Sequence, residues 1–101
     1  MADLSKTGFA LVGAGLFGQR HAQAYSRHPF VDFVAVCDLN GERARKTAEE
    51  YGARRHTTNL QALLDDPEIT AISIATPDPF HREVAIACAQ AGKHILVEKP
   101  L

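Results

Sequence analysis

The stretch VGAGLFG, residues 12–18, contains three glycines in the spacing G-x-G-x-x-G and follows a short apolar run, GFALVG (8–13). Each glycine has a separate physical role in such a loop. Gly13 permits a tight turn, Gly15 lets a pyrophosphate approach the backbone, and Gly18 lets the next helix pack against the strand. The pattern therefore predicts a phosphate-binding turn between a strand and a helix. The alternative is a turn that requires glycine for its geometry alone.

Strand and helix patterns alternate along the rest of the chain. The predicted strands span residues 8–13, 31–38, 54–58, 68–77 and 94–97, and the predicted helices span about 16–28, 40–52, 59–66 and 79–91. Strands separated by helices of about a dozen residues pair in parallel through right-handed crossovers. The expected fold class is therefore α/β, with a doubly wound parallel sheet between two layers of helices.

The composition favours a single globular domain and leaves small neutral or anionic ligands open. The chain has 101 residues, of which 46% are apolar and 23% charged, and its formal net charge is −1. This balance argues against partners that require a strongly basic surface, namely nucleic acids and membranes. Cys37 and Cys88 lie in apolar stretches, which favours reduced thiols, and the N-terminus resembles neither a signal peptide nor a membrane span. We therefore predict a cytoplasmic protein.

An acidic residue follows the second predicted strand at an informative distance from the glycines. Asp38 lies 20 residues after Gly18, where the acid that binds an adenine ribose is expected in a dinucleotide-binding unit. A carboxylate there accepts hydrogen bonds from free hydroxyls and repels a 2′-phosphate, so the sequence favours NAD over NADP. The alternative role for Asp38 is to cap the second helix.

A second polar stretch, ATPDPFH (75–81), follows the fourth predicted strand. In a parallel sheet this places Thr76 and Pro77 at the same edge as the glycine loop, where ligands collect. Thr76 is a candidate cofactor ligand or, alternatively, an ordinary turn residue. His81 shares a helical face with apolar residues, which by itself favours a half-buried structural histidine. The five histidines and two cysteines show no metal-ligand spacing, so we predict no metal site.

The last predicted strand, HILV (94–97), leads directly into Glu98, Lys99 and Pro100. These charges would leave the carboxyl end of a parallel strand, beside the crevice that holds the glycine loop. A lysine there can donate to a substrate oxygen or move a proton. The alternative is that Glu98 and Lys99 are simply solvated after the strand.

These motifs together resemble the N-terminal domain of the glucose-fructose oxidoreductase, inositol dehydrogenase and MocA (Gfo/Idh/MocA) family. The resemblance rests on VGAGLFG, Asp38, ATPDPFH and AGKHILVEKPL, in that order over nearly the whole chain. It implies a Rossmann-type domain that binds NAD, or less favourably NADP. For the cofactor site it implies Gly13, Gly15, Leu16, Phe17, Gly18, Asp38, Thr76, Pro77, His81 and Glu98, and for substrate binding and proton transfer it implies Lys99.

The family resemblance also sets expectations for activity. It implies that residues 1–101 are the nucleotide-binding half of an oxidoreductase that moves a hydride between nicotinamide and a CH–OH group of a sugar, inositol or other polyol. The substrate domain would lie outside this chain, and so would the last strands of the sheet, so the isolated chain is expected to have little turnover. We expect the full-length protein to be a homo-oligomer. The alternatives are a non-catalytic dinucleotide-sensing module and an adenosyl-cofactor domain of the methyltransferase kind, which the E-K-P ending argues against.

Overall fold

A computed structural model describes residues 7–76 and 78–97 of the chain. These residues form five strands and four helices that alternate along the sequence. The strands are β1 (Thr7–Val12), β2 (Val31–Cys37), β3 (Arg55–Thr57), β4 (Ala71–Ile74) and β5 (His94–Val97), and the helices are α1 (Leu16–Arg27), α2 (Gly41–Tyr51), α3 (Leu60–Leu64) and α4 (Asp78–Gln90). Each predicted element is present, with bounds that differ by a few residues.

The five strands form one sheet in the order β3-β2-β1-β4-β5, and all neighbouring pairs are parallel. The chain builds outward from β1 through β2 to β3, and then crosses back to place β4 on the other side of β1. The strand order therefore reverses between β1 and β4, which is where ligands bind in open α/β sheets. The doubly wound parallel sheet predicted from the sequence is confirmed.

Two hydrophobic cores cover the two faces of the sheet. On one face, α1 and α2 contribute Ala22, Ala44 and Ala48, which pack against sheet residues such as Leu11 and Val36. On the other face, α3 and α4 pack against a second set of sheet residues, with core and flanking side chains at Leu60, Leu63, Leu64, Val84, Ala85 and Cys88. The small alanines of the first face let α1 and α2 approach closely. The result is a three-layer arrangement of helices, sheet and helices.

A short loop, residues 38–40, joins the end of β2 to the start of α2. Asn40 is its N-cap, since the Asn40 side chain accepts a hydrogen bond from the backbone N–H of Arg43 at 3.1 Å. The alternative in which Asp38 caps this helix is therefore wrong, because Asn40 stands two residues closer to the first turn. The helices have 5 to 13 residues, and none within the described ranges is long and apolar enough to cross a membrane.

The fourth strand is shorter than the predicted span of 68–77. The residues before it form a turn instead, because Asp66 accepts hydrogen bonds from the backbone N–H groups of Glu68, at 2.9 Å, and Ile69, at 3.1 Å. Lys93 reinforces this turn, since its ammonium donates to the carbonyls of Asp66 at 2.9 Å and Ile69 at 2.6 Å. Residues 68–70, which the sequence predicts as the start of the strand, therefore form the turn that precedes β4.

Candidate cofactor-binding site

The glycine loop lies at the carboxyl edge of the sheet, next to the residues that follow β4. Gly13 has φ +97°, and a Cβ at this position would lie 2.7 Å from the carbonyl carbon and oxygen of Ala75. A Cβ on Gly18 would overlap the carbonyl oxygen of Gly13. Both positions therefore exclude any side chain, one through backbone conformation and space and the other through the close approach of α1.

Gly15 differs from these two glycines, because a Cβ there would meet no atom of the described residues within 4 Å. The residue is the N-cap of α1 and supplies no side-chain hydrogen bond to the first turn of the helix. Open space thus adjoins a helix N-terminus that has no side-chain cap, an arrangement that suits an anion. Leu16 and Phe17, two further predicted site residues, form the first turn of this helix.

Asp38 follows β2 and faces the glycine loop. The residue is only 6% exposed. One oxygen of its carboxylate accepts a hydrogen bond from the backbone N–H of Ala14 at 2.7 Å. Its second oxygen accepts from the backbone N–H of Asn40 at 2.8 Å, and the guanidinium of Arg43 donates to both oxygens. The structure therefore brings the predicted ribose acid into direct contact with the predicted phosphate loop.

The charge of this carboxylate is well stabilised. Burial alone would raise the pKa of Asp38, but hydrogen bonds from Arg43, Asn40 and Ala14 outweigh it and hold the pKa below its ordinary value. The pKa of the neighbouring thiol, Cys37, shifts in the opposite direction. Burial, helped by the nearby charge of Asp38, raises the pKa of Cys37 to about 11. Asp38 is therefore an anion at neutral pH, whereas Cys37 is a protonated core residue and not a nucleophile.

Two residues that the sequence reasoning missed hold the loop from the other side. The side-chain amide of Gln19 donates to the carbonyl of Ala14 at 3.0 Å and to the hydroxyl of Thr47, in α2, at 2.6 Å. The peptide groups of Ala14 are thus held by Asp38 at the N–H and by Gln19 at the carbonyl. From the sequence, Thr47 is predicted only to lie on the buried face of α2. The one signal that it also accepts a hydrogen bond there is its hydroxyl, since the other buried residues of this helix are alanines.

Thr76 lies two residues beyond β4, where its backbone adjoins Gly13. Its hydroxyl oxygen is buried and makes no hydrogen bond to any described residue. A buried hydroxyl without a partner is unfavourable by about 1–3 kcal/mol, so such a group in a ligand crevice calls for a ligand. The structure therefore brings together Gly13, Gly15, Gly18, Asp38 and Thr76 at one edge of the sheet.

The remaining predicted site residues are placed less directly. His81 lies in the first turns of α4 and is half-buried, so its cofactor and packing roles both stay predictions. Pro77, Glu98 and Lys99 lie outside the residues that the structure describes. Across the described ranges, no group of three or more His, Cys, Asp or Glu residues is arranged to hold a metal ion.

Comparison with known families agrees with this geometry. Residues 7–101 match the Gfo/Idh/MocA family, described as an oxidoreductase family with an NAD-binding Rossmann fold. The chain belongs to this family. The family assignment confirms the resemblance seen in the sequence motifs, and the described sheet is the Rossmann-type sheet that the family description names.

Individual Gfo/Idh/MocA relatives are much longer than this chain. Levoglucosan dehydrogenase of Pseudarthrobacter phenanthrenivorans is 38% identical over an alignment of 99 positions, which covers 90% of this chain and 25% of the relative. The 4-carboxy-2-hydroxymuconate-6-semialdehyde dehydrogenase of a Sphingobium species is 39% identical over 92 residues, or 91% of this chain and 29% of the relative. The chain thus spans between a quarter and a third of the length of these enzymes.

A solved structure extends the comparison to three dimensions. The complex of levoglucosan dehydrogenase with NADH and L-sorbose superposes with a TM-score of 0.88 and 34% sequence identity. The superposition covers 96% of this chain and 28% of that enzyme. The fold of this chain is therefore that of the corresponding part of levoglucosan dehydrogenase, an enzyme solved in complex with NADH.

The side chains present fit a nicotinamide dinucleotide. The open space over Gly15 leaves room for a pyrophosphate, Asp38 offers a charged acceptor for ribose hydroxyls, and the buried hydroxyl of Thr76 has no partner among the described residues. These three features lie on two sides of the point where the strand order reverses. That is the expected place for a dinucleotide across such a sheet.

Proposed function

We propose that this chain is the NAD-binding part of an oxidoreductase that interconverts a CH–OH group and a carbonyl in a sugar, inositol or other polyol. The observation that carries the proposal is the contact between the buried carboxylate of Asp38 and the glycine loop at Ala14, beside the open space over Gly15. Bound NAD supplies the hydride acceptor for this chemistry. The levoglucosan dehydrogenase relatives support the sugar class of substrate.

The residues of this chain have distinct roles in the proposed function. The backbone N–H groups at the start of α1 bind the pyrophosphate, and Asp38 accepts hydrogen bonds from the adenosine ribose. The hydroxyl of Thr76 donates a hydrogen bond to the central part of the cofactor. Lys99, which follows β5 in the sequence, binds the reacting hydroxyl of the substrate and moves its proton, which is the work of a general acid or base.

The relatives also support a second class of substrate. A semialdehyde dehydrogenase is as similar to this chain as the levoglucosan enzyme is. The proposed cofactor-binding residues do not distinguish the two classes, because they contact the dinucleotide and not the substrate. Carbonyl compounds other than sugars therefore belong in any substrate screen.

Three wider properties of the protein stay proposals. We place it in the cytoplasm, which the two buried thiols outside any disulfide support. We expect a homo-oligomer in the full-length form. We expect partners to be small molecules and not nucleic acids or membranes, in keeping with a formal net charge of −1.

The first test is a calorimetric titration of the chain with NADH and, separately, with NADPH. Circular dichroism confirms folding before each titration. We expect saturable binding of both, with NADH preferred. A folded chain that binds neither dinucleotide contradicts the proposal.

Catalysis is tested in the longest natural polypeptide that contains residues 1–101, by following NADH formation with a panel of polyols and sugars. We expect turnover, and we expect Lys99→Met to abolish it while the affinity for NADH stays within about twofold of wild type. Tight binding of NADH without turnover on any compound would favour a dinucleotide-sensing module instead.

A further inference from the structure

Three successive peptide groups of the glycine loop are each held by a different hydrogen bond. The N–H of the peptide between Gly13 and Ala14 donates to the carboxylate of Asp38 at 2.7 Å. The carbonyl of the next peptide, between Ala14 and Gly15, accepts from the side-chain amide of Gln19 at 3.0 Å. The carbonyl of Gly15 accepts from the backbone N–H of Gln19 at 2.9 Å. Gln19 therefore holds two of the three groups, one through its side chain and one through its backbone.

The middle peptide, between Ala14 and Gly15, is the one that its own residues fix least. Gly15 has φ −77°, and a flip of this peptide would carry that angle to positive values. Glycine adopts positive φ about as readily as negative φ, so residue 15 does not prevent the flip by its own sterics. The bond to Asp38 does not prevent it either, because that bond holds the preceding peptide. The direction of the middle peptide therefore depends on the side chain of Gln19.

This direction decides which end of the peptide faces the open space at Gly15. In a trans peptide the C=O and the N–H point in opposite directions, and the described residues include no cis peptide. The carbonyl of Ala14 is turned toward Gln19, so the N–H of Gly15 points away from it and meets no acceptor among the described residues. An N–H attracts a phosphate oxygen, whereas a carbonyl oxygen repels it. The observed orientation therefore favours an anion, and the flipped orientation would oppose one.

We propose that Gln19 is a positioning residue for the pyrophosphate of the dinucleotide; this inference rests on the proposed function. The side-chain amide of Gln19 keeps the N–H end of the Ala14–Gly15 peptide toward the phosphates. Residue 15 must be glycine to leave space for the ligand, and for that reason it cannot fix its own backbone. The first turns of α1 supply, through Gln19, the rigidity that the glycine lacks, and a loop held in its binding conformation loses less entropy when the ligand binds.

Thr47 orients the amide of Gln19 from the neighbouring helix, α2. A primary amide has two N–H donors, and the Gln19 amide also donates to the hydroxyl of Thr47, at 2.6 Å. Thr47 is 1% exposed and lies on the buried face of α2, so the packing of the two helices holds its hydroxyl in place. The two bonds together fix both the position and the plane of the Gln19 amide. Thr47 therefore acts on the loop through Gln19.

The test measures the Kd for NADH by calorimetry in variants of the chain that circular dichroism first shows to be folded. Gln19→Met keeps the length of the side chain and removes both donors, so we expect the Kd to rise by about five- to tenfold. We expect Thr47→Val to raise the Kd by about threefold, and Thr47→Ser, which keeps the hydroxyl, to stay within about twofold of wild type. Gln23→Met is the matched control, because Gln23 lies one turn further along α1 and is exposed. It should also stay within about twofold.

Two further measurements distinguish positioning from a general loosening of the contact between α1 and α2. Because Thr47 acts through Gln19, Thr47→Val should not change the Kd further in a chain that already carries Gln19→Met, whereas two independent effects would multiply. NMR observes the peptide itself. In wild type, NADH should shift the amide proton resonance of Gly15 downfield, as a hydrogen bond to an anion does. In Gln19→Met saturated with NADH, most of that shift should be lost.

The outcomes separate this inference from the proposed function. A folded wild-type chain that does not bind NADH overturns the proposed function, and the role of Gln19 with it. A wild-type chain that binds NADH, with equal Kd values in Gln19→Met and Gln23→Met, overturns the role of Gln19 alone. The same holds if NADH shifts the Gly15 resonance equally in wild type and Gln19→Met. If Gln19→Met fails to fold, Thr47→Val and Thr47→Ser decide: equal Kd values overturn the inference, and tighter binding by the serine variant supports it.

Discussion

The two edges of the sheet use polar groups in opposite ways. At the amino edge, charged side chains are paired: Arg54 contacts Asp32 at 2.8 Å and Glu68 at 3.0 Å, and Arg55 contacts Glu68 and Asp66. At the carboxyl edge, the hydroxyl of Thr76 is buried without a partner in the described chain, and the space over Gly15 is open. One edge satisfies its polar groups within the protein, and the other leaves groups for a ligand.

This difference separates residues that hold the fold from residues that bind. Lys93 shows the first role, since its ammonium is bonded to two backbone carbonyls in the turn before β4. Thr76 shows the second, since a hydroxyl without a partner lowers stability until something bonds to it. Asp38 combines both roles, because the carboxylate that should bind ribose also holds the glycine loop. Substitutions at the two edges should therefore affect different measurements.

The largest effect is expected in the glycine loop. Gly18→Ala places a methyl group against the carbonyl oxygen of Gly13, so we expect a loss of about 1–3 kcal/mol in the free energy of unfolding and no measurable binding of NADH. Denaturant unfolding followed by circular dichroism measures the first, and calorimetry the second.

Gly15→Ala is the matched control, because its methyl group meets no protein atom within 4 Å in the described chain. We expect the free energy of unfolding to change by less than about 0.5 kcal/mol, whereas the affinity for NADH falls by tenfold or more, about 1.4 kcal/mol, since the methyl group occupies space meant for phosphate. Wild-type affinity in Gly15→Ala would show that no ligand approaches this backbone.

At the amino edge, we expect Lys93→Met to lower the free energy of unfolding by about 1.5–3 kcal/mol, the usual contribution of hydrogen bonds to a charged group. In the folded fraction, the affinity for NADH should stay within about twofold of wild type, since Lys93 lies at the edge opposite the site. Lys46→Met, on the surface of α2, serves as the control and should be nearly neutral. Wild-type stability in Lys93→Met would contradict the conclusion that polar groups at the amino edge hold the fold.

Thr76→Val should have the reverse effect of Lys93→Met. The affinity for NADH should fall by about five- to tenfold, the loss of one hydrogen bond, while the free energy of unfolding stays the same or rises slightly. Thr76→Ser keeps the hydroxyl and should bind NADH within about twofold of wild type. If Thr76→Val binds NADH as tightly as wild type does, the buried hydroxyl makes no hydrogen bond to the cofactor.

The smallest effect is expected from acid. The pKa of Asp38 is lowered in the folded state, so its contribution to stability is complete above the ordinary aspartate pKa of about 4 and is lost as the pH falls through the lowered value. Between pH 4 and pH 2, wild type should lose more free energy of unfolding than Asp38→Asn does. Parallel pH profiles for the two chains would show that the carboxylate is not stabilised by its partners.

Much of this site could be predicted from the amino-acid sequence, because it depends on local pattern. The glycine spacing, the strand before it and the helix after it lie within about 20 residues, and parallel pairing then brings Asp38 and Thr76 to the same edge. The bounds of β4 could not be predicted, since residues 68–70 have a character compatible with strand and only the bonds to Asp66 and from Lys93 make them a turn.

The sequence by itself determined the order of strands and helices, the parallel sheet and the positions of the glycine loop and its acid, because periodicity and glycine spacing act over short distances. Only the tertiary structure decided how those parts hold one another. Gln19 and Thr47 lie 28 residues apart and meet through a single hydrogen bond, and the four donors around Asp38 come from the loop, the cap and α2. Contacts of this kind depend on side-chain directions across packed elements, which no local pattern records.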